Sequence, residues 1–99
     1  MIDIGIILDD YGTFKYIISL LEKYFHCPPY RSGNEWHLPF MRVTVLMASQ
    51  ARGHRFDFIY YDNNITTDIV HEVIFPICQW SRPKPLEYLL DKIEENKYV

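Results

Sequence analysis

Residues 2–8, IDIGIIL, carry an almost unbroken apolar run from Ile4 to Leu8. β-branched residues bounded by the polar stretch DDYG predict a strand, and apolar side chains at successive positions predict burial on both of its faces. The period then changes. Phe14, Ile17, Ile18, Leu21, Tyr24 and Phe25 follow i, i+3, i+4, i+7 spacing, which predicts an amphipathic helix over 12–25. Asp10 can cap its first turn, and Lys23 and His26 suit its negative end.

Residues 26–39 read as a connection, with Pro28 and Pro29 stopping the helix and Ser32-Gly33-Asn34 marking a turn. Residues 40–47, FMRVTVLM, predict a second strand. ASQARGHR is a polar loop, and 56–61, FDFIYY, predict a third strand. Asp62-Asn63-Asn64 is turn chemistry. Ile69, Val70, Val73, Ile74 and Ile77 then return to the helical period, with Thr66 or Thr67 as cap and Pro76 as kink or stop. Past SRPKP, the stripe Leu86, Leu89, Leu90, Ile93 predicts a last helix, with Ser81 as cap and Pro83 or Pro85 in its first turn. The end, EENKYV, is expected to fray. The order β-α-β-β-α-α predicts one α/β domain over 1–99, with a three-stranded sheet covered by two or three helices.

Composition narrows the class. At 48% hydrophobic and 16% aromatic, the 99-residue chain is too apolar for a disordered segment. A net charge of −3 argues against a general nucleic-acid coat, which needs a basic field. The eight Tyr suit either a core or a partner-facing surface. Cys27 and Cys78 form no metal-ligand spacing with the histidines and read as two buried thiols in a reducing compartment. No apolar stretch approaches membrane-spanning length, and MIDIGIILDD lacks the basic start of a signal peptide. An intracellular, cytoplasmic protein without a membrane partner is the expectation.

Two clusters carry candidate chemistry. Asp9 and Asp10 follow the first strand and Asp62 ends the third, so all three fall at strand carboxyl ends, where α/β sheets place ligands. Paired carboxylates there can hold Mg²⁺, and they can equally be helix caps and turn residues. Arg52, His54 and Arg55 place three basic groups within four residues, suited to phosphate or nucleic-acid contact, with Gly53 allowing close approach; a solvated loop is the plainer reading. No nucleophile–base spacing and no H-E-x-x-H arrangement appears.

The stretch RVTVLMASQARGHRFDFIYYDNN resembles part of the ATPase domain of viral DNA-packaging terminase large subunits. There an apolar strand leads through an Arg-Gly loop to the Walker B strand. Val43–Met47, Arg52-Gly53 and Phe58–Asp62 match that layout, and the segments 65–80 and 2–25 are similar to the helix after Walker B and to an upstream strand–helix unit. The resemblance implies a parallel sheet, Asp62 as a Mg²⁺ residue, and Arg52 as part of the Arg-Gly loop. The chain has no G-x-x-x-x-G-K-S/T, and Asn63 stands where the family has its catalytic Glu. The eight-residue connection 48–55, by contrast, more naturally joins an antiparallel hairpin. Taken together, the residues favour a non-enzymatic interaction module without a cofactor, of viral or phage origin, that binds and modulates or inhibits a partner protein. A degenerate Mg²⁺- or nucleotide-dependent ATPase- or nuclease-like domain, or a nucleic-acid-binding packaging accessory, is the alternative.

Overall fold

The computed structural model describes residues 1–30 and 33–96. Strand β1 (Ile2–Leu8) leads into helix α1 (Tyr11–Phe25), then strands β2 (Glu35–Leu38) and β3 (Met41–Met47). A single 3₁₀ turn, Ala48–Gln50, begins the path to β4 (Phe58–Tyr61). Three helical segments then run on without a break: Thr67–Ile69, a wider π-turn at Val70–Ile74, and Phe75–Ile77. We call this continuous helix α2 (67–77). Strand β5 (Lys84–Pro85) and helix α3 (Leu86–Asn96) follow.

The α/β class is as the sequence implies, but the sheet has five strands, in the order β2-β3-β1-β4-β5. β1 is central and runs parallel to both β3 and β4, β5 runs parallel to β4, and β2 alone is antiparallel, on β3. The sequence leaves the relative direction of β3 and β4 open, and the structure resolves it: they are not a hairpin. The two strands point the same way with β1 between them, and residues 48–57 form a crossover. Buried Ala51 and Phe56 pin that crossover to the sheet, which explains how so short a connection spans a strand.

Burial on both faces of β1 makes the layers. Ile6 and Leu8 join Val43, Val45, Trp36, Ile17, Leu21, Leu86 and Ile93 in one core beneath α1 and α3. Ile7 joins Leu46, Ile59, Val70, Val73 and Ile74 in a second core beneath α2. Gly5 is required on this second face, because a Cβ there would stand 2.6 Å from the Phe56 ring.

Several local expectations change. The stretch 26–39 contains β2, whose Trp36 is buried with its indole N–H donated to the Cys27 carbonyl at 3.1 Å. Of the turn expected at 32–34, Ser32 lies outside the described residues. Thr66 occupies the N-cap of α2 but makes no side-chain capping bond. Pro76 does end α2, one residue later. The π-turn before it accommodates a residue that has no N–H to give and whose ring crowds the preceding turn. Ser81 does not cap α3, and Pro85 pairs with Tyr61 in β5 instead of entering the helix. α3 continues to Asn96, so 94–96 are helical, and 97–99 lie outside the described residues. Cys27 is exposed and Cys78 is half-buried, so the expectation of two buried thiols fails.

Candidate functional site

The connections determine where this sheet opens. From β1 the chain passes through α1 to β3 on one side, and from β4 it passes through α2 to β5 on the other. The carboxyl ends of β1 and β4 therefore flank a switch in chain direction, the usual ligand crevice of a parallel sheet. Asp9 and Asp10 leave β1 there, and Asp62 leaves β4. The Asp62 N–H donates to the Ile7 carbonyl at 2.9 Å, which continues the parallel register and sets Asp62 beside Leu8.

The three carboxylates are not equivalent. Asp10 is exposed and its Oδ2 accepts from the Thr13 N–H at 2.9 Å and the Thr13 hydroxyl at 3.1 Å, the N-cap of α1. Asp9 is exposed at the bend before it. Asp62 is only 8% exposed. Its Oδ1 accepts from the Asn64 N–H at 3.1 Å, closing a turn, while its Oδ2 is buried and has no partner. Among the described residues no three His, Cys, Asp or Glu side chains gather into a metal-holding group. The set Asp9, Asp10, Asp62 is thus not gathered into one metal-holding triad among the described residues.

Arg52, His54 and Arg55 project from the crossover and are all exposed. Gly53 turns the backbone with φ 87°, in the left-handed region that favours glycine. His54 donates its N–H to the Ala51 carbonyl, and its ring stacks on Phe56 at 5.8 Å. Among the described residues neither arginine has an ion pair, and no hydrogen bond joins this loop to Asp9, Asp10 or Asp62. The two candidate clusters are separate features.

The opposite, amino edge of the sheet carries a surface that sequence reasoning missed. Ile2 donates to the Phe40 carbonyl, Asp57 to the Asp3 carbonyl, and Trp80 to the Asp57 carbonyl. These bonds lay residues 40, 2–3, 57 and 80 side by side. Phe40 is 83% and Trp80 75% exposed, and Met1 and Ile2 are exposed with them. Between these apolar groups Arg42 Nε donates to Asp3 Oδ1 at 2.9 Å, and Asp57 Oδ2 accepts from the Asp3 N–H at 2.8 Å. The available signal was a large apolar residue beside a turn or prolines, as in LPFM and QWSRP.

A groove of about 260 Å³ lies between α1 and α3, floored by Ile4, Ile6, Val43 and Tyr60, with Leu89 and Lys92 on its α3 side. Cys78 Sγ donates to the Ser81 carbonyl at 3.0 Å; burial pushes its thiol pKa up, and the nearby Asp57 charge adds to the rise. Among the described residues no helix is long and apolar enough to cross a membrane. No protein-family model, no curated protein and no solved structure matches this chain.

Proposed function

We propose that this chain is a small non-enzymatic interaction module that binds a protein partner through the amino edge of its sheet. The observation that carries the reading is the exposed group Met1, Ile2, Phe40 and Trp80 around the Asp3–Arg42 pair. Aromatic residues, Met and Arg are the side chains enriched where proteins meet, and Trp and Arg supply most hot spots. Isolated exposed apolar residues are ordinary, but several collected at one edge are the kind of surface that binding covers. The ion pair is partly exposed and contributes little to stability by itself, at most about 1 kcal/mol. Desolvated by a partner, the same pair would fix orientation. In this reading the module modulates or inhibits its partner by occupying its surface. The terminase-like stretch supports a viral or phage origin as part of the same proposal.

The test is affinity capture with the wild-type chain and with Phe40→Ser/Trp80→Ser. A stoichiometric partner retained by the first and lost by the second supports the proposal. A wild-type chain that stays monomeric and retains nothing, or a partner held equally by both, refutes it.

The exposed, unpaired Arg52 and Arg55 favour a second reading, contact with nucleic-acid phosphates through the 52–55 loop. It predicts weak DNA binding that falls steeply with added salt and is lost in Arg52→Ala/Arg55→Ala. Binding unchanged in that variant would remove it.

A further inference from the structure

We infer that the groove between α1 and α3 binds a medium-chain fatty acid, with its aliphatic tail on the sheet floor and its carboxylate at Lys92. This inference is independent of the amino-edge reading. It begins from how the helices sit on the sheet. α1 packs over β1 and β3, and α3 packs over β4 and β5. Between them a strip of the sheet forms the floor of the groove, with Ile4, Ile6, Val43 and Tyr60. The groove also reaches the core, since Ile6, Leu21, Val43 and Ile93 line it and none is more than 7% exposed. Protein interiors keep few spaces larger than a water molecule. A volume of about 260 Å³ against core side chains stands out from that packing.

Size selects the tail. An apolar cavity of about 150 Å³ accepts benzene, so this groove accommodates an aliphatic chain on the order of ten carbons. Its aliphatic and aromatic walls suit a tail without hydrogen-bonding groups. A partner's helix, about 10 Å across with its side chains, exceeds the space within one turn.

One residue selects the head. Among the described residues Lys92 is the only charged side chain lining the groove, and no carboxylate lines it. Lys92 is exposed and has no ion pair among the described residues. It lies outside the last turn of α3, so the negative helix end does not claim its charge. Its stem can lie along the apolar wall with the ammonium in water. One cation at the rim of an apolar groove complements one anion on an apolar chain, and it disfavours an amine.

The experiment titrates the full chain with sodium decanoate below its micelle-forming concentration, followed by methyl NMR shifts and calorimetry. The expected result is saturable binding of one molecule per chain, with shifts at the methyls of Ile4, Ile6, Val43 and Leu89. Affinity should rise about fourfold with each methylene added between hexanoate and decanoate, then level off once the groove is filled. Lys92→Met keeps an apolar stem at an exposed position and should fold as the wild type does. It should weaken decanoate binding by about fivefold and leave decanol binding unchanged. No saturable binding, or shifts confined to other parts of the chain, would overturn the proposal. So would a Lys92→Met chain that holds decanoate as tightly as the wild type, or self-association through these methyls without a response to decanoate.

Discussion

The two ends of one sheet differ in almost every property, although the same strands reach both. The carboxyl end is polar and acidic: Asp9, Asp10 and the Asp62-Asn63-Asn64 turn, with one buried carboxylate oxygen unanswered. The amino end is apolar and aromatic, with Phe40 and Trp80 exposed around the hydrogen-bonded set Asp3, Arg42 and Asp57. The difference shows what an unmet requirement looks like at each end. At one end it is a buried carboxylate oxygen, Asp62 Oδ2, without a hydrogen-bond partner. At the other it is exposed apolar area, Phe40 and Trp80 above all, and on the proposed reading a partner protein covers it.

Both ends hang on β1, so the largest effect comes from its centre. Ile6→Ala should cost about 2–5 kcal/mol in chemical denaturation, since Ile6 is fully buried in the α1/α3 core. It should weaken both ends together; loss of one surface with the other intact would show that they are not coupled through β1. Gly5→Ala comes next, at about 1–3 kcal/mol, because the added methyl meets the Phe56 ring on the opposite face. An unchanged melting temperature would mean that the ring moves aside freely.

A smaller effect separates the two kinds of aspartate at the carboxyl end. Asp10→Ala should cost about 1 kcal/mol by removing the α1 cap, whereas Asp62→Asn, which keeps the Oδ1 acceptor for the Asn64 N–H, should cost less. Equal losses from the two substitutions would erase the distinction drawn between them. The smallest effect is on reactivity. Exposed Cys27 should be alkylated ahead of Cys78, whose thiol pKa is raised and which therefore holds less thiolate at neutral pH. Mass spectrometry after limited iodoacetamide treatment reads the order directly, and first reaction at Cys78 would contradict its place beneath the 78–81 turn.

The sequence signals differ in how far they reach. The run Ile4–Leu8 reads as a strand buried on both faces because nearly every side chain in it is apolar, and that burial is what places helices on both sides. The α1 pattern and its Asp10 cap are local and legible for the same reason. β2 and β5 are not, since four and two residues carry too little period, and each is held by a neighbouring strand rather than by its own sequence. The crossover 48–57 leaves the direction of β4 open because its length also fits a hairpin, and only Ala51 and Phe56 seated in the second core reveal its path. At the candidate site, Asp62 stands out as the end of an apolar run, but its buried orphan oxygen depends on β1 beside it. The amino edge was least legible of all, being assembled from residues near 2, 40, 57 and 80.

The central claim is that the amino edge is the partner-binding surface. The most direct measurement is amide chemical-shift mapping of the labelled chain with its affinity-captured partner. The account predicts changes at Ile2, Asp3, Phe40, Arg42, Asp57 and Trp80, with residues 9–10 and 61–64 unmoved. Changes confined to the carboxyl edge or to the 52–55 loop, with the amino edge silent, would contradict it.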